Sequence, residues 1–189
     1  MPYETLFPGQ GLNEKVIMVI RKHWWIIFKL FLFYFVLALL PLVLRGLMKS
    51  YTTLLDGGVL TVILNLLGSI YYFYILTLFY RGWIDYYLDV GIITNERIVD
   101  IEQKGLFARS ISEQKIYRVQ DVTSEVKGFL PTFFHYGDIH IQTAGPTPHF
   151  TFDGAPHPYE TTKKILDLVK FRKQKLMEIG VDPDSAEME

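Results

Sequence analysis

Two stretches of this chain stay apolar for about the thickness of a bilayer, and most of the chain beyond them alternates between apolar and polar positions. Residues 24–44 carry one charge, Lys29, and residues 59–80 carry none. A helix crossing the hydrocarbon core needs about 20 apolar residues at ~1.5 Å rise each. The pattern predicts helices over 24–44 and 59–80, forming a hairpin within 23–83. Pro41 is expected to bend or stop the first helix near its end.

After Asp85 the period changes. Residues 86–93 are β-formers, Thr94-Asn95-Glu96 reads as a turn, and 97–103 alternates as a strand. Lys104-Gly105 is a second turn and 107–112 a third strand. Ile116, Val119 and Val122 recur every three residues, which breaks the alternation and suggests a short 3₁₀ turn. Strands resume over 123–126, 139–143 and 149–152. Residues 129–136 are apolar around Pro131 without a clear period, and Ala144-Gly145-Pro146 closes the strand before it. Pro156-His157-Pro158 opens a helix with apolar Ile165, Leu168, Val169 and Leu176, its lysines on the other faces. Residues 179–189 are acidic and read as a disordered tail.

The expected fold is an α+β membrane protein. A two-helix transmembrane hairpin precedes a small antiparallel β-barrel or sandwich of about seven strands, capped by a C-terminal α-helix. The domains are a juxtamembrane segment 1–22, the hairpin 23–83, a β-rich domain 84–178 and the tail 179–189. Residues 12–22 mix Val16, Ile17, Val19 and Ile20 with charges and read as an interfacial helix. The first apolar run is too long for a signal-peptide core and no small-residue cleavage site follows it, so it is expected to be retained.

Composition narrows the function classes. Lys and Arg number 19 against 20 Asp and Glu, so no bulk charge points to nucleic acid. Cysteine is absent, which excludes disulfides, a cysteine zinc site and a cysteine nucleophile. Five basic residues (Lys15, Arg21, Lys22, Lys29, Arg81) flank the helices on the side of the β-rich domain, against Arg45 and Lys49 between them. The positive-inside rule then puts the termini and the β-rich domain in the cytoplasm. Trp24, Trp25, Lys29, Tyr80, Arg81 and Trp83 are the expected membrane-interface residues, aromatics and snorkelling cations at headgroup depth. Thr61, Asn65, Gly68 and Ser69 share one helical face, and Ala38 lies on a comparable stripe with Tyr34 and Pro41. Small and polar stripes of this kind pack membrane helices.

Several motifs resemble the bacterial pleckstrin-homology-like domains of the YdbS-like membrane protein family. They are Tyr87-Leu88-Asp89-Val90-Gly91-Ile92-Ile93-Thr94-Asn95-Glu96-Arg97-Ile98, Gln103-Lys104-Gly105-Leu106-Phe107, Arg118-Val119-Gln120-Asp121-Val122 and Gly137-Asp138-Ile139-His140-Ile141-Gln142-Thr143-Ala144-Gly145. The Arg21-Lys22-His23-Trp24 entry to the first helix is similar to that of the anchored members. The resemblance implies a pleckstrin-homology (PH) barrel on a two-helix anchor.

Much of the motif chemistry has a structural reading. Asn95 suits a left-handed turn, Gly105, Gly128 and Gly137 suit hairpin turns, and Asp121 suits a backbone cap. His140 and His149 face each other across neighbouring strands at best, with no accompanying metal-ligand pattern. Asp85 and Asp89, four apart at a helix-to-strand transition, have no nucleophile or metal partner nearby. No hydrolase, phosphate-loop or zinc-protease motif occurs. No enzyme activity, metal or cofactor is expected. The expected function is a membrane-anchored binding or assembly module that takes a protein partner or self-assembles, along strand edges or a groove beside the last helix. The alternatives are a sensor of anionic lipid headgroups through Arg97, Lys104, Arg109 and Lys127, or an accessory subunit of a transporter or envelope complex.

Overall fold

The computed structural model describes residues 10–11, 14–51, 58–144 and 149–180. The chain forms two compact units, one of Trp24–Tyr86 and one that joins Met1–His23 to Tyr87–Glu189. Residues 181–189, expected as a tail, and Gly145 and Pro146, expected in a turn, lie outside the described residues.

The helical unit holds α1 (Trp24–Tyr51) and most of α2 (Val59–Leu88). Pro41 sits inside α1, and the helix runs on through it. The two helices contact each other in antiparallel order. Tyr71 Oη donates to the Leu37 carbonyl (2.8 Å), Tyr72 Oη to that of Ala38 (3.0 Å), and Arg45 Nη1 to Asn65 Oδ1 (3.0 Å). Nearer the ends, Leu30 packs so close to Gly82 that a Cβ there would meet its methyl at 2.9 Å. Within the unit the apolar side chains are mostly exposed, Phe33 by 60% and Phe73 by 71%. The helices of a soluble core hide such residues.

The β unit begins before the helices. Residues 16–21, expected as an interfacial helix, are strand β1 (Val16–Arg21). All but the last of these residues are apolar on both faces, so neither helical nor alternating periodicity is visible in the sequence. β1 pairs antiparallel with β2 (Val90–Thr94), which comes after both helices. The expected strand at 86–93 therefore starts late, because α2 continues to Leu88. Strand propensity depends on context, and a continuing helix overrides it.

Sheet A has the order β1-β2-β3-β4, with β3 at Arg97–Lys104 and β4 at Ala108–Lys115. A 3₁₀ turn at Ile116–Arg118 leads to sheet B. That sheet has the order β5-β6-β7: Val119–Glu125, Tyr136–Thr143 and His149–Pro156. The apolar stretch without a period contains the short helix α3 (Phe129–Phe134). Helix α4 (Pro158–Glu178) follows β7 and has Pro158 in its first turn. The two sheets do not form one closed hydrogen-bonded barrel.

The core lies between the sheets and α4: Ile20, Ile93, Ile98, Ile116, Val122, Ile139, Ile141, Phe150, Phe152, Ile165 and Val169. Ile20 places β1 in this core. Gly91 of β2 allows the Phe152 ring of sheet B to approach, since a Cβ there would lie 2.5 Å from it. Gly137, expected in a turn, is within β6, where a Cβ would meet the Glu125 carbonyl oxygen at 2.4 Å. Close strand approach, not turn geometry, requires that glycine. Gly91→Ala is expected to lower stability by about 1–3 kcal/mol through overpacking. Thermal unfolding of the purified protein in detergent checks this, and an unchanged melting temperature would refute it.

Candidate functional site

The β unit has two chemically distinct ends, and strand register identifies them. At one end the chain leaves for α1 and returns from α2. Arg21, the last residue of β1, pairs with Val90, the first of β2, and Val90 pairs with Ile101 of β3. Lys22 Nζ, just after β1, bonds Asp89 Oδ2 at 2.6 Å, and Asp89 Oδ1 accepts the Gln103 N–H at 2.7 Å. Asp89 thus clasps the outgoing and returning segments. Sheet B reaches the same end: the His23 N–H donates to the Gly154 carbonyl at 2.8 Å, and the His23 ring stacks on Tyr136 at 5.3 Å.

Beyond these residues two segments project. The β3–β4 hairpin tip carries Leu106 and Phe107, the latter 99% exposed. Gly105 makes its turn at φ 78°. Between β5 and β6, α3 starts from Gly128 (φ 102°) and exposes Phe129 and Phe133, whose rings stack at 6.2 Å. His135 and His157, the two non-glycine residues with positive φ among the described residues, stack at 6.1 Å just beyond α3.

Between the sheets at this end lies a cleft of about 60 Å³, with Asp100, Glu102 and Asp153 along its wall beside Lys22 and Asp89. Burial, then the charges of Glu102 and Asp89, push the Asp100 carboxyl up to about 6. A drug-sized ligand needs roughly 300 Å³ or more. Among the described residues no His, Asp and Glu group has the geometry to hold a metal ion.

The opposite end is dominated by ion pairs. Glu14, its side chain fully buried, receives Arg97 through Nε (2.9 Å) and Nη2 (2.8 Å), and its Oε1 accepts the Thr94 hydroxyl (2.7 Å). The hydrogen bonds from Arg97 hold the Glu14 carboxyl down at about 2, against the opposing effect of burial. Asn95 bonds Lys15 twice: Oδ1 accepts its N–H (2.8 Å) and the Asn95 N–H donates to its carbonyl (3.1 Å). Asn95 does not have the expected left-handed backbone; it fastens the segment before β1. Arg97 also pairs with Glu113 at 2.6 Å. Next to this network an open groove of about 730 Å³ runs past α4, lined by Glu96, Arg97, Lys115, Tyr117, Arg118 and Arg172. Arg172 Nη2 lies 4.0 Å from Glu96, while its buried Nε has no hydrogen-bond partner among the described residues.

The expected lipid contacts therefore separate. Lys104 and Arg109 flank the hairpin tip, and Lys127 precedes α3, at the helix-linked end. Lys104 pairs with Glu102 (3.2 Å) and Lys127 with Glu125 (2.7 Å), both on the surface. Arg97 is at the far end of β3, held between two glutamates. Lys115, Arg118 and Arg172, which join it, were not legible as a group, because only the fold brings α4 beside the start of β3. Asp121 Oδ1 accepts the Val122 N–H at 2.9 Å. His140 and His149 are not register partners: His140 is opposite Thr151 and His149 opposite Gln142. In the helical unit, Asn65 accepts from Arg45 and Ser69 Oγ bonds its own helix at the Asn65 carbonyl (2.9 Å), while a Cβ at Gly68 would meet open space. Trp24 packs edge-on to Trp25 at 5.5 Å and Trp83 lies 6.1 Å from Phe79; Lys29, Tyr80 and Arg81 are exposed.

The profile of the family described as "Bacterial PH domain" matches residues 25–170. No curated protein matches the chain. A crystal structure of a DUF1696 family protein with a pleckstrin-homology domain, from Shewanella loihica, is similar at 15% identity with a TM-score of 0.35. The similarity covers 43% of this chain and 70% of that one.

Two carboxyls give opposite pH responses. Glu14 titrates below its ordinary 4.5, so its stabilisation is complete above that value and is lost as pH falls toward about 2. Glu14→Gln is expected to cost about 3 kcal/mol at pH 7 by leaving Arg97 poorly compensated, with the deficit shrinking in acid. Asp100 titrates above its ordinary 3.8, so its ionisation destabilises the fold above about pH 6, and that penalty is gone below the ordinary value. Asp100→Asn is expected to add about 1–2 kcal/mol at pH 7.5 and nothing near pH 3.5. Denaturant titrations across pH test each sign, and a pH-independent difference refutes the assignment concerned.

Proposed function

The chain belongs to the bacterial PH domain family, and on that premise we propose that it is a membrane-anchored, non-catalytic binding and assembly module. In this reading α1 and α2 cross the membrane, the β unit is cytoplasmic, and its charged groove receives an acidic segment of a protein partner or of a second copy. The helices support the anchor: they are long and apolar enough to span a bilayer, and their apolar side chains are mostly exposed. The five-to-two bias of basic residues supports the orientation.

One observation carries the binding reading: four cations converge in a groove at the end of β3 remote from the chain links to the helices. Arg97 and Lys115 are register partners there, whereas Lys104 lies beyond Ile101 at the linked end. Arg97 to Lys104 spans roughly 23 Å at strand rise. Arg97, Lys115, Arg118 and Arg172 lie beside Glu96 and Glu113, with Arg97 also paired to buried Glu14, so the groove keeps one net positive charge. Complementary charge of this kind selects a partner and steers its approach.

A photoreactive side chain at Lys115, in the full-length protein in its own membranes, is expected to crosslink to an acidic partner segment or a second copy. One at Gln142, exposed on β6, is expected to give no such product. Arg118→Glu should reduce the Lys115 product at least several-fold. No product at Lys115, or equal yields at the two positions, would refute the groove as the binding site.

A further inference from the structure

We propose that the helix-linked end of the β unit is itself a lipid-contacting surface, with α3 and the β3–β4 tip seating their aromatic side chains in the interface of an anionic bilayer. The proposal rests on the reading that α1 and α2 span a membrane, and adds a second attachment made by the β unit.

Exposure is the first observation. Phe107 is 99% exposed, Phe129 81% and Phe133 63%, and no residue of α3 is buried. Large aromatics on two protruding segments contribute nothing to the core, and exposed apolar groups of this size mark interaction surfaces. Position is the second. The β3–β4 tip extends three residues past Ile101, the partner of Val90, so it projects about 10 Å beyond the first residue of β2, on the side where the chain returns from α2. His135, at the end of α3, adjoins Tyr136, on which the His23 ring stacks immediately before α1. A link of two residues, Lys22 and His23, separates β1 from α1 and reaches at most about 11 Å across its three Cα–Cα steps. Helices that cross a bilayer hold this end within reach of its surface.

Charge is the third observation and selects the occupant. Lys104 and Arg109 bracket Leu106 and Phe107, and Lys127 precedes Phe129; Lys104 and Lys127 make exposed pairs with Glu102 and Glu125, contacts that are weak at the surface and that lipid headgroups can replace. Aromatics seated at headgroup depth with lysines and arginines beside them are the pattern by which proteins lie on anionic bilayers. Two separate tips also fit a deformable surface better than a rigid protein face, which would need one continuous patch.

The absence of cysteine from the sequence makes the test direct. Single cysteines replace Leu39, Phe107, Phe129 or Lys115 in the full-length protein, carry an environment-sensitive fluorophore, and are reconstituted in vesicles with or without phosphatidylglycerol. Lipids spin-labelled on the acyl chain serve as quenchers. Quenching at 39, 107 and 129 but not at 115 is the expected result, with the signal at 107 and 129 falling by about half without phosphatidylglycerol. Quenching at 39 with none at 107 and 129 overturns the proposal and leaves the anchor standing. Crosslinking of 107 or 129 to protein in native membranes, without lipid quenching, also overturns it. An unquenched 39 removes the membrane-spanning reading and the proposal with it.

Discussion

The pairing of β1 with β2 is the constraint on which the β unit depends. These strands flank the entire helical hairpin in sequence, yet they are adjacent in sheet A, and Ile20 brings β1 into the core between the sheets. Edge-strand hydrogen bonds alone would hold such a strand weakly. Two fastenings reinforce them, the Glu14–Arg97–Thr94 network at one end and the Lys22–Asp89 clasp at the other. A buried carboxylate is costly unless paired and hydrogen-bonded, and Glu14 accepts from Arg97, Thr94 and the Gly11 N–H. The N-terminal strand is therefore held by polar bonds at its ends and apolar burial in its middle.

From this pairing follows the division of labour between the two ends. A sheet entered and left through neighbouring strands has one end committed to its chain links. The exposed aromatics and the cations beside them collect at that end, while the groove past α4 lies at the other. The carboxylates follow the same division. At the groove end Glu14 is fully compensated and stays ionised, whereas at the linked end Asp100 sits among acids and is pushed toward neutrality.

Signals carried by local periodicity were legible in the sequence. The apolar runs give α1 and the start of α2, the alternation over 97–103 gives β3, the triplet spacing gives the 3₁₀ turn, and the stripe with Pro158 gives α4. The illegible parts depended on distant partners. β1 has apolar residues on both faces, and only its pairing with β2 distinguishes it from a membrane-entry helix. Asn95 reads as a turn former until Lys15 is found beside it. The groove needs Arg172 from the last helix next to Arg97 from the second strand after the anchor. Arg97 reads as an open cation because Glu14, its main partner, precedes it by the whole hairpin. Family resemblance supplied the PH-like class that periodicity could not, and the match over residues 25–170 supports that class.

The insertion of the hairpin between β1 and β2 also sets an order of events in synthesis. β1 emerges first and its partner only after residues 22–89 have been made. Contacts so distant in sequence form late, since the intervening chain must first be brought together. A compact helical hairpin shortens that loop in space, so packing of the two helices prepares the closure of sheet A. A nascent chain whose helical hairpin has not formed keeps β2 as an unpaired edge, with Gly91-Ile92-Ile93 exposed to other strands, a route to aggregation. In the membrane-spanning reading proposed above, completion of the sheet reports that the hairpin has inserted.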